Sequence, residues 1–284
     1  MSYKNLVELF AINEGKGAVG AFNIGTLEML PYIILAAEEC NAPVIVQATP
    51  KNVIDMGGYE VLGSVVKTLA NSSSASVCLH LDHSKKVEFI KMAIAAGFNS
   101  VMYDGSELSL KDNIENTKIV MKWCSEEGIS VEAEVGKIGQ SVSGIAVKNN
   151  DDELTNVEDA RRFVESTDVN ALAVSIGTTH WQYKSAAIIN YDLLDELTSV
   201  LSTNLVLHGG TGVSNEDLKK CSFHGIKKIN VGTVLFRNYI KSIQSATVNV
   251  DYGSSLRTVF DQANQCIEKI TIEKINAMML RKSC

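Results

Sequence analysis

Short apolar runs rich in β-branched residues alternate with longer amphipathic segments along nearly the whole chain. The runs are AVGAFN at 18–23, PVIVQA at 43–48, SVCLHLDH at 76–83 and NSVMYD at 99–104, followed by SVEAEV at 130–135, ALAVSIG at 171–177, NLVLHGG at 204–210 and KKINVG at 227–232. None keeps a strict alternation of polar and apolar positions, so each reads as a strand buried on both faces. Between them, TLEMLPYIILAAEEC (26–40) and SKKVEFIKMAIAAG (84–97) carry helical spacing, the second opening on Ser84 as a cap and closing on Gly97. Thr155 and Glu158 stand at capping-box spacing and mark a further helix start. Eight strands interleaved with helices over about 235 residues predict an α/β chain folded as a (β/α)8 TIM barrel. A doubly wound open sheet is the alternative, but AFNIGTLE stands after the first strand where a G-x-G-x-x-G would be expected.

Composition narrows the class. The 284 residues suit one domain, 1–284, with 45% hydrophobic and 21% charged positions, near the soluble average. Twenty-six basic against thirty-three acidic residues give a net charge of −7, which argues against nucleic acid and against an anionic membrane as partner. No stretch approaches the roughly 18–20 apolar residues of a membrane span, and the first residues lack the pattern of a signal peptide. Six dispersed cysteines with no C-x-x-C pair suit free thiols in a reducing, cytoplasmic setting. The one long irregular stretch, 136–154, is of a length associated with functional lids.

In a barrel, chemistry gathers where the strands end. The carboxyl ends of the proposed strands offer Asn23, Gln47, Asp82 with His83, Asp104, Glu134, His180 just after the sixth, His208 and Asn230. Three imidazoles converging from different strands provide the usual shell of a catalytic zinc with an open position. His80, inside its strand, reads as a packed residue, and His224 as a group at the opposite barrel face. HGGTG (208–212) and NVGT (230–233) follow the seventh and eighth strands, whose loops commonly hold phosphate through backbone N–H groups and a helix N-terminus. Lys184 is a candidate countercharge. Lys227 and Lys228 are read as opening the eighth strand; with no lysine within or at the carboxyl end of a strand, metal chemistry is favoured over a lysine Schiff base.

LHLDHS (79–84), YDGS (103–106), VEAEVGKIG (131–139), IGTTH (176–180), LVLHGGTG (205–212) and INVGT (229–233) together resemble the ordered motifs of class II fructose- and tagatose-bisphosphate aldolases. GAFNI (20–24) fits as well, and the similarity runs from about residue 4 to 240, clearest for the tagatose-type branch. The resemblance implies that His83, His180 and His208 bind a catalytic zinc and that Asp82 is the acid–base group. Asp104 and Glu134 match positions for a second divalent or alternative metal, beside which the family also takes a monovalent cation. Gly209, Gly210 and Thr211, with Asn230, Val231, Gly232 and Thr233, would hold the dihydroxyacetone phosphate moiety, joined by Lys184. The substrate class implied is a ketose 1,6-bisphosphate, and the family's assemblies imply a homodimer or homotetramer.

Three positions depart from the family pattern. Trp181 replaces a glycine after the second zinc histidine and would narrow the pocket. Ser141 stands where the mobile loop carries a glutamate, with Asp151, Asp152 or Glu153 as nearby substitutes. The carboxyl end, NAMMLRKSC, lacks the usual small-residue tail. These departures admit two alternatives: an aldolase for another phosphorylated or modified sugar, and a barrel that binds metal or sugar phosphate without turnover.

Overall fold

The computed structural model describes residues 2–140, 154–180, 183, 184, 186–248 and 255–280, with the backbone alone for Gln140 and His180. Eight parallel strands close into a barrel: β1 (Val19–Asn23), β2 (Val44–Ala48), β3 (Val77–Ser84), β4 (Ser100–Tyr103), β5 (Ser130–Val135), β7 (Ala171–Val174), β9 (Asn204–Leu207) and β10 (Ile226–Val231). Two further strands, β6 (Gly139–Gln140) and β8 (Thr179–His180), pair with each other outside the barrel as a short parallel ribbon. The order β1-β10-β9-β7-β5-β4-β3-β2 is that of a (β/α)8 barrel, as the sequence rhythm predicts.

The helices are α1 (Leu6–Ile12), α2 (Leu30–Glu39), α3 (Pro50–Asp55), α4 (Tyr59–Asn71), α5 (Val87–Ala95), α6 (Leu110–Glu126), α7 (Val157–Thr167), α8 (Tyr191–Val200), α9 (Asn215–Phe223), α10 (Thr233–Thr247) and α11 (Leu256–Met278). No helix among the described residues is long and apolar enough to cross a membrane.

Two helix starts differ from the sequence reading. Ser84 is the last residue of β3, its hydroxyl donating to the Lys86 carbonyl, and α5 begins at Val87, directly after Lys86, with no side-chain cap. Asn156, not Thr155, caps α7 by accepting from the Asp159 N–H. Thr155 is instead buried, donating to the Val135 carbonyl and accepting from the Ser175 N–H, which ties the chain before α7 to two strand ends. Gly97 closes α5 in the left-handed region, φ +81°, as read.

Because strand residues alternate between faces, each strand contributes one column to the barrel interior and one to the surrounding helices. The outward column (Phe22, Val46, Leu79, Val101, Val131, Leu172, Leu205, Ile229 among others) joins the helices in the main core. The inward column begins as a separate apolar layer of Val19, Ala21, Ile45, Cys78, Met102, Ala171, Ala173 and Val206, closed from below by Leu6, Leu9 and Phe10 of α1. Burying each of those three plug side chains contributes about 1.5–3 kcal/mol. Further along the same columns the side chains turn polar: His80, Ser100, Glu132 and Lys228, then Asn23, Gln47, Asp82, Glu134 and Asn230 at the strand ends. The barrel is thus dry and apolar at its amino end and charged from its middle upward.

Candidate active site

Asp82 and His83 are adjacent in β3, so regular pleating would point them to opposite faces. The strand does not stay regular. His83 takes φ +48°, and the register with β4 shifts between Leu81 and Ser84. This local irregularity lets both side chains line one cavity of about 550 Å3 at the carboxyl end of the barrel.

The Asp82 carboxylate is held from two sides. Asn23 Nδ2 donates to its Oδ2 at 2.8 Å, and Asn230 Nδ2 to its Oδ1 at 3.3 Å. Gln47 in turn donates to Asn23 Oδ1 at 2.9 Å, fixing which way that amide faces. Burial works against the Asp82 charge, but His83, His208, Lys228 and the Asn23 bond outweigh it and keep its carboxyl below the ordinary range.

A chain of contacts runs from Asp104 through both histidines. His83 Nδ1 lies 3.0 Å from Asp104 Oδ2, His83 Nε2 lies 3.0 Å from His208 Nδ1, and His208 Nε2 lies 2.8 Å from Glu132 Oε1. Carboxylates only accept, so His83 Nδ1 and His208 Nε2 carry protons. The remaining pair of nitrogens then needs one proton between them. Burial disfavours the His83 cation, but Asp82, Asp104 and Glu134 outweigh it and push His83 up to about 9. The contact between the two imidazoles is a hydrogen bond when one of the facing nitrogens carries a proton. Ser106, through its N–H and hydroxyl, and His83 keep the Asp104 carboxyl below its ordinary range although burial opposes them. Burial pushes Glu134 up to about 8, against the pull of His83.

These donors fit a divalent cation. One oxygen or nitrogen from each of Asp82, His83 and His208 lies within 4.8 Å of the others, and so do donors from His83, Asp104 and Glu134. Two imidazole nitrogens sharing a tetrahedral zinc with bonds of about 2.05 Å stand about 3.3 Å apart, close to the 3.0 Å between His83 and His208. Glu134 Oε2 is buried without a hydrogen-bond partner, 3.9 Å from His208 Nδ1. A buried carboxylate oxygen left open beside two imidazoles is what a cation would satisfy. The backbone of His180 reaches this end of the barrel in β8; its side chain lies outside the described residues, as do Trp181, Ser141, Asp151, Asp152 and Glu153.

The cavity continues over Gly209, Thr211, Asn230, Gly232 and Thr233. Gly210–Gly212 forms a 3-10 turn and Thr233 opens α10, so the positive end of a helix lies at the cavity. Gly210 has no room for a side chain: a Cβ would meet the Asn230 carbonyl at 2.7 Å. Val231 points away into the outer core and supplies backbone only. Lys184 is exposed, its ammonium 5.7 Å from the Tyr183 ring, and it does not line the cavity. The lysines that do are Lys51, in the first turn of α3 after β2, and Lys85, in the loop after β3, with Thr49 and Asn52 beside the first.

Two interior groups escape a reading restricted to strand ends. Glu132 and Lys228 are fully buried and paired at 2.8 Å. Lys228 is the third residue of β10 and does not open it, so a lysine does stand within a strand. Its ammonium is held by Glu132 and by Asn230 Oδ1 at 2.7 Å and does not line the cavity, which leaves it unavailable to a substrate carbonyl. The signal in the sequence is the two-residue spacing that puts Glu132 on the face of Glu134 and Lys228 on that of Asn230. His80 is packed, as read: fully buried, Nδ1 2.6 Å from Ser100 Oγ, and kept neutral by burial and by Lys228. His224 pairs with Asp195 just before β10, at the opposite barrel end.

Residues 4–282 match the family model for class II fructose-bisphosphate aldolase. A sulfofructosephosphate aldolase of Alkalicoccus urumqiensis is 39% identical over 225 residues, 79% of this chain and 78% of that protein. The crystal structure of the YdjI aldolase of Escherichia coli K12 superposes with a TM-score of 0.82 at 27% identity, covering 97% of both chains. Fructose-bisphosphate aldolase of Campylobacter jejuni shares the fold at a TM-score of 0.80 and 19% identity, over 97% of this chain and 95% of that one. A carboxylate and an imidazole lining one cavity with a second imidazole against them, a glycine-lined cradle beside them and a match along nearly the full length lead to one assignment: the chain belongs to the class II fructose-bisphosphate aldolase family, and is an aldolase.

Proposed function

We propose that the protein reversibly cleaves a ketose 1-phosphate bearing a second anion at C6, releasing dihydroxyacetone phosphate and a three-carbon aldehyde. The observation that carries this reading is the cluster of Asp82, His83 and His208, of which Asp82 and His83 line a cavity that continues over the glycine-lined cradle and His208 is buried behind them. His83 and His208, with His180, would hold zinc, and Asp104 and Glu134 would take a second or alternative ion. A zinc there supplies a Lewis acid that stabilises the negative charge of the enediolate as the carbon–carbon bond breaks.

The chain's own residues do the rest. Asp82, oriented by Asn23 and Asn230, accepts the proton of the hydroxyl whose carbon becomes the aldehyde, and returns it in the synthetic direction. Gly209, Gly210, Thr211, Gly232 and Thr233 bind the C1 phosphate through backbone N–H groups and the α10 terminus. Lys51 and Lys85 face the far end of the sugar and complement an anion there.

Fructose or tagatose 1,6-bisphosphate is the first candidate. Sulfofructose phosphate is the second, favoured by the 39% identical relative that carries that name. Release of dihydroxyacetone phosphate from all three, measured before and after chelation and zinc re-addition, tests the proposal. Chelator-sensitive release restored by zinc supports it, and the preferred sugar identifies the C6 anion. Binding of zinc without release from any of the three would overturn it in favour of a non-catalytic sugar-phosphate binder.

A further inference from the structure

The polar layer beneath the cavity contains an ion pair that the chemistry above does not use. Lys228 Nζ lies 2.8 Å from Glu132 Oε2 and 2.7 Å from Asn230 Oδ1, and all three residues are buried. Each partner of Lys228 leads to a different reacting element. Glu132 Oε1 accepts from His208 Nε2 at 2.8 Å, and Asn230 Nδ2 donates to Asp82 at 3.3 Å. One ammonium thus joins the second contact of an imidazole and the second contact of the acid–base carboxylate.

The consequence follows from donor and acceptor chemistry. Glu132 accepts only, so it fixes the His208 proton on Nε2 and leaves the Nδ1 lone pair facing His83. An amide such as Asn230 has two faces. An ammonium donates only, so Lys228 claims the carbonyl oxygen and forces the NH2 toward Asp82. Without Lys228, Glu132 would keep only its bond from His208 and no countercharge in the barrel core, and Asn230 could turn its oxygen toward Asp82 and repel it.

We propose that Lys228 and Glu132 are positioning residues that set, from below, both the ligand tautomer of His208 and the orientation of Asp82. The proposal rests on the reading of His208 as a metal ligand. Neither residue touches substrate, since neither lines the cavity. Carboxylates that hold a ligating imidazole in this way typically change metal affinity by about 10–100-fold when removed.

The test measures zinc affinity of the purified full chain by competition with a chromophoric chelator, together with kcat and KM. The variants are Glu132→Gln, Lys228→Met, Lys228→Arg and the double variant Glu132→Gln/Lys228→Met. Glu132→Gln should weaken zinc binding by about 10–100-fold. Lys228→Met should in addition lower kcat at saturating zinc with KM little changed, because Asp82 loses its orientation while the phosphate cradle is intact. Lys228→Arg should restore part of both. Lys228→Met alone strands a buried carboxylate and is the variant most prone to misfold; the double variant removes both charges and keeps the test decisive. Its losses should match the larger single loss and not the product of the two, as expected of residues acting as a unit. A folded double variant with wild-type zinc affinity and wild-type kcat would overturn the proposal. Failure of the wild-type chain to bind zinc at all would overturn the metal reading on which it rests, a result distinguishable from the first.

Discussion

Asp82 and His83 stand next to each other in β3 and yet face the same cavity, because His83 adopts φ +48° where a strand residue would stay extended. Left-handed backbone at a residue with a Cβ costs about 1–2 kcal/mol, so the strand stores strain at this step. The return is that an acid–base carboxylate and a candidate metal ligand share one wall. Their roles separate under substitution. Asp82→Asn should lower kcat by roughly 10²–10⁴-fold while zinc content, read by atomic absorption, stays near wild type. Loss of the metal in that variant would show that Asp82 serves as a ligand instead.

His208→Ala removes a nitrogen 3.0 Å from His83 and leaves Glu132 Oε1 without its donor, though Lys228 still pairs with Oε2. Both bound zinc and cleavage should be lost, with a fall in Tm as well. Turnover unchanged from wild type would be incompatible with the proposed metal centre.

Stability of the metal-free protein should depend on pH in a definite direction. His83 is raised from 6.5 to about 9 and Glu134 from 4.5 to about 8 on folding. A folded value above the unfolded one gives stability that is complete below the unfolded value and lost as pH rises through the folded one. The windows are therefore 6.5 to about 9 for His83 and 4.5 to about 8 for Glu134, and they overlap. Thermal melts after chelation should show Tm falling from pH 6 to pH 9. Zinc should reduce the fall, since ligation uses neutral His83, and its binding should release protons that calorimetry in two buffers detects. A chelated protein whose Tm is flat or rising across this range would contradict the assignment.

Lys85 lines the cavity and pairs with Glu107 at its mouth. If it meets the C6 anion, Lys85→Ala should raise KM about 10-fold for the preferred sugar and leave kcat nearly unchanged, the scale of one charged hydrogen bond. A ketose 1-phosphate with no C6 anion should not register the substitution. Equal sensitivity of both substrates would place the C6 group elsewhere.

Gly232 abuts Asn23, and a Cβ there would stand 3.0 Å from its Oδ1 and 3.2 Å from its Cβ. Gly232→Ala should push Asn23 off Asp82, lowering kcat several-fold while weakening phosphate binding. The same variant with wild-type kcat would show that Asn23 can give way without disturbing the carboxylate.

Much of this was legible in the chain because barrel strands are buried on both faces and end in polar groups. All eight barrel strands lie within a residue of the predicted runs at their starts, and donor atoms of Asp82, His83 and His208, and of His83, Asp104 and Glu134, lie within 4.8 Å of one another. What was not legible depended on side-chain partners. Ser84 and Thr155 have the chemistry of caps, but one belongs to a strand end and the other bonds the ends of two neighbouring strands. Glu132 and Lys228 were hidden because the partner that satisfies each buried charge stands three strands away in the barrel. Lys51 and Lys85 read as ordinary surface lysines until the loops carrying them are placed around one opening.

The ribbon of β6 and β8 pairs Gly139 with Thr179 and Gln140 with His180. It fastens the segment leaving β5 to the one leaving β7 by main-chain contacts, independent of which side chains either carries. The two segments therefore form a single mechanical part, and the placement of His180 is inherited from the spacing between Val135 and Gly139 as much as from its own strand. A one-residue insertion in that spacer would shift the rung opposite His180 without touching any residue of the cavity wall contributed by β3 or β9. In this architecture the lengths of neighbouring loops are matched quantities, and altering the composition of one is a different kind of change from altering its length.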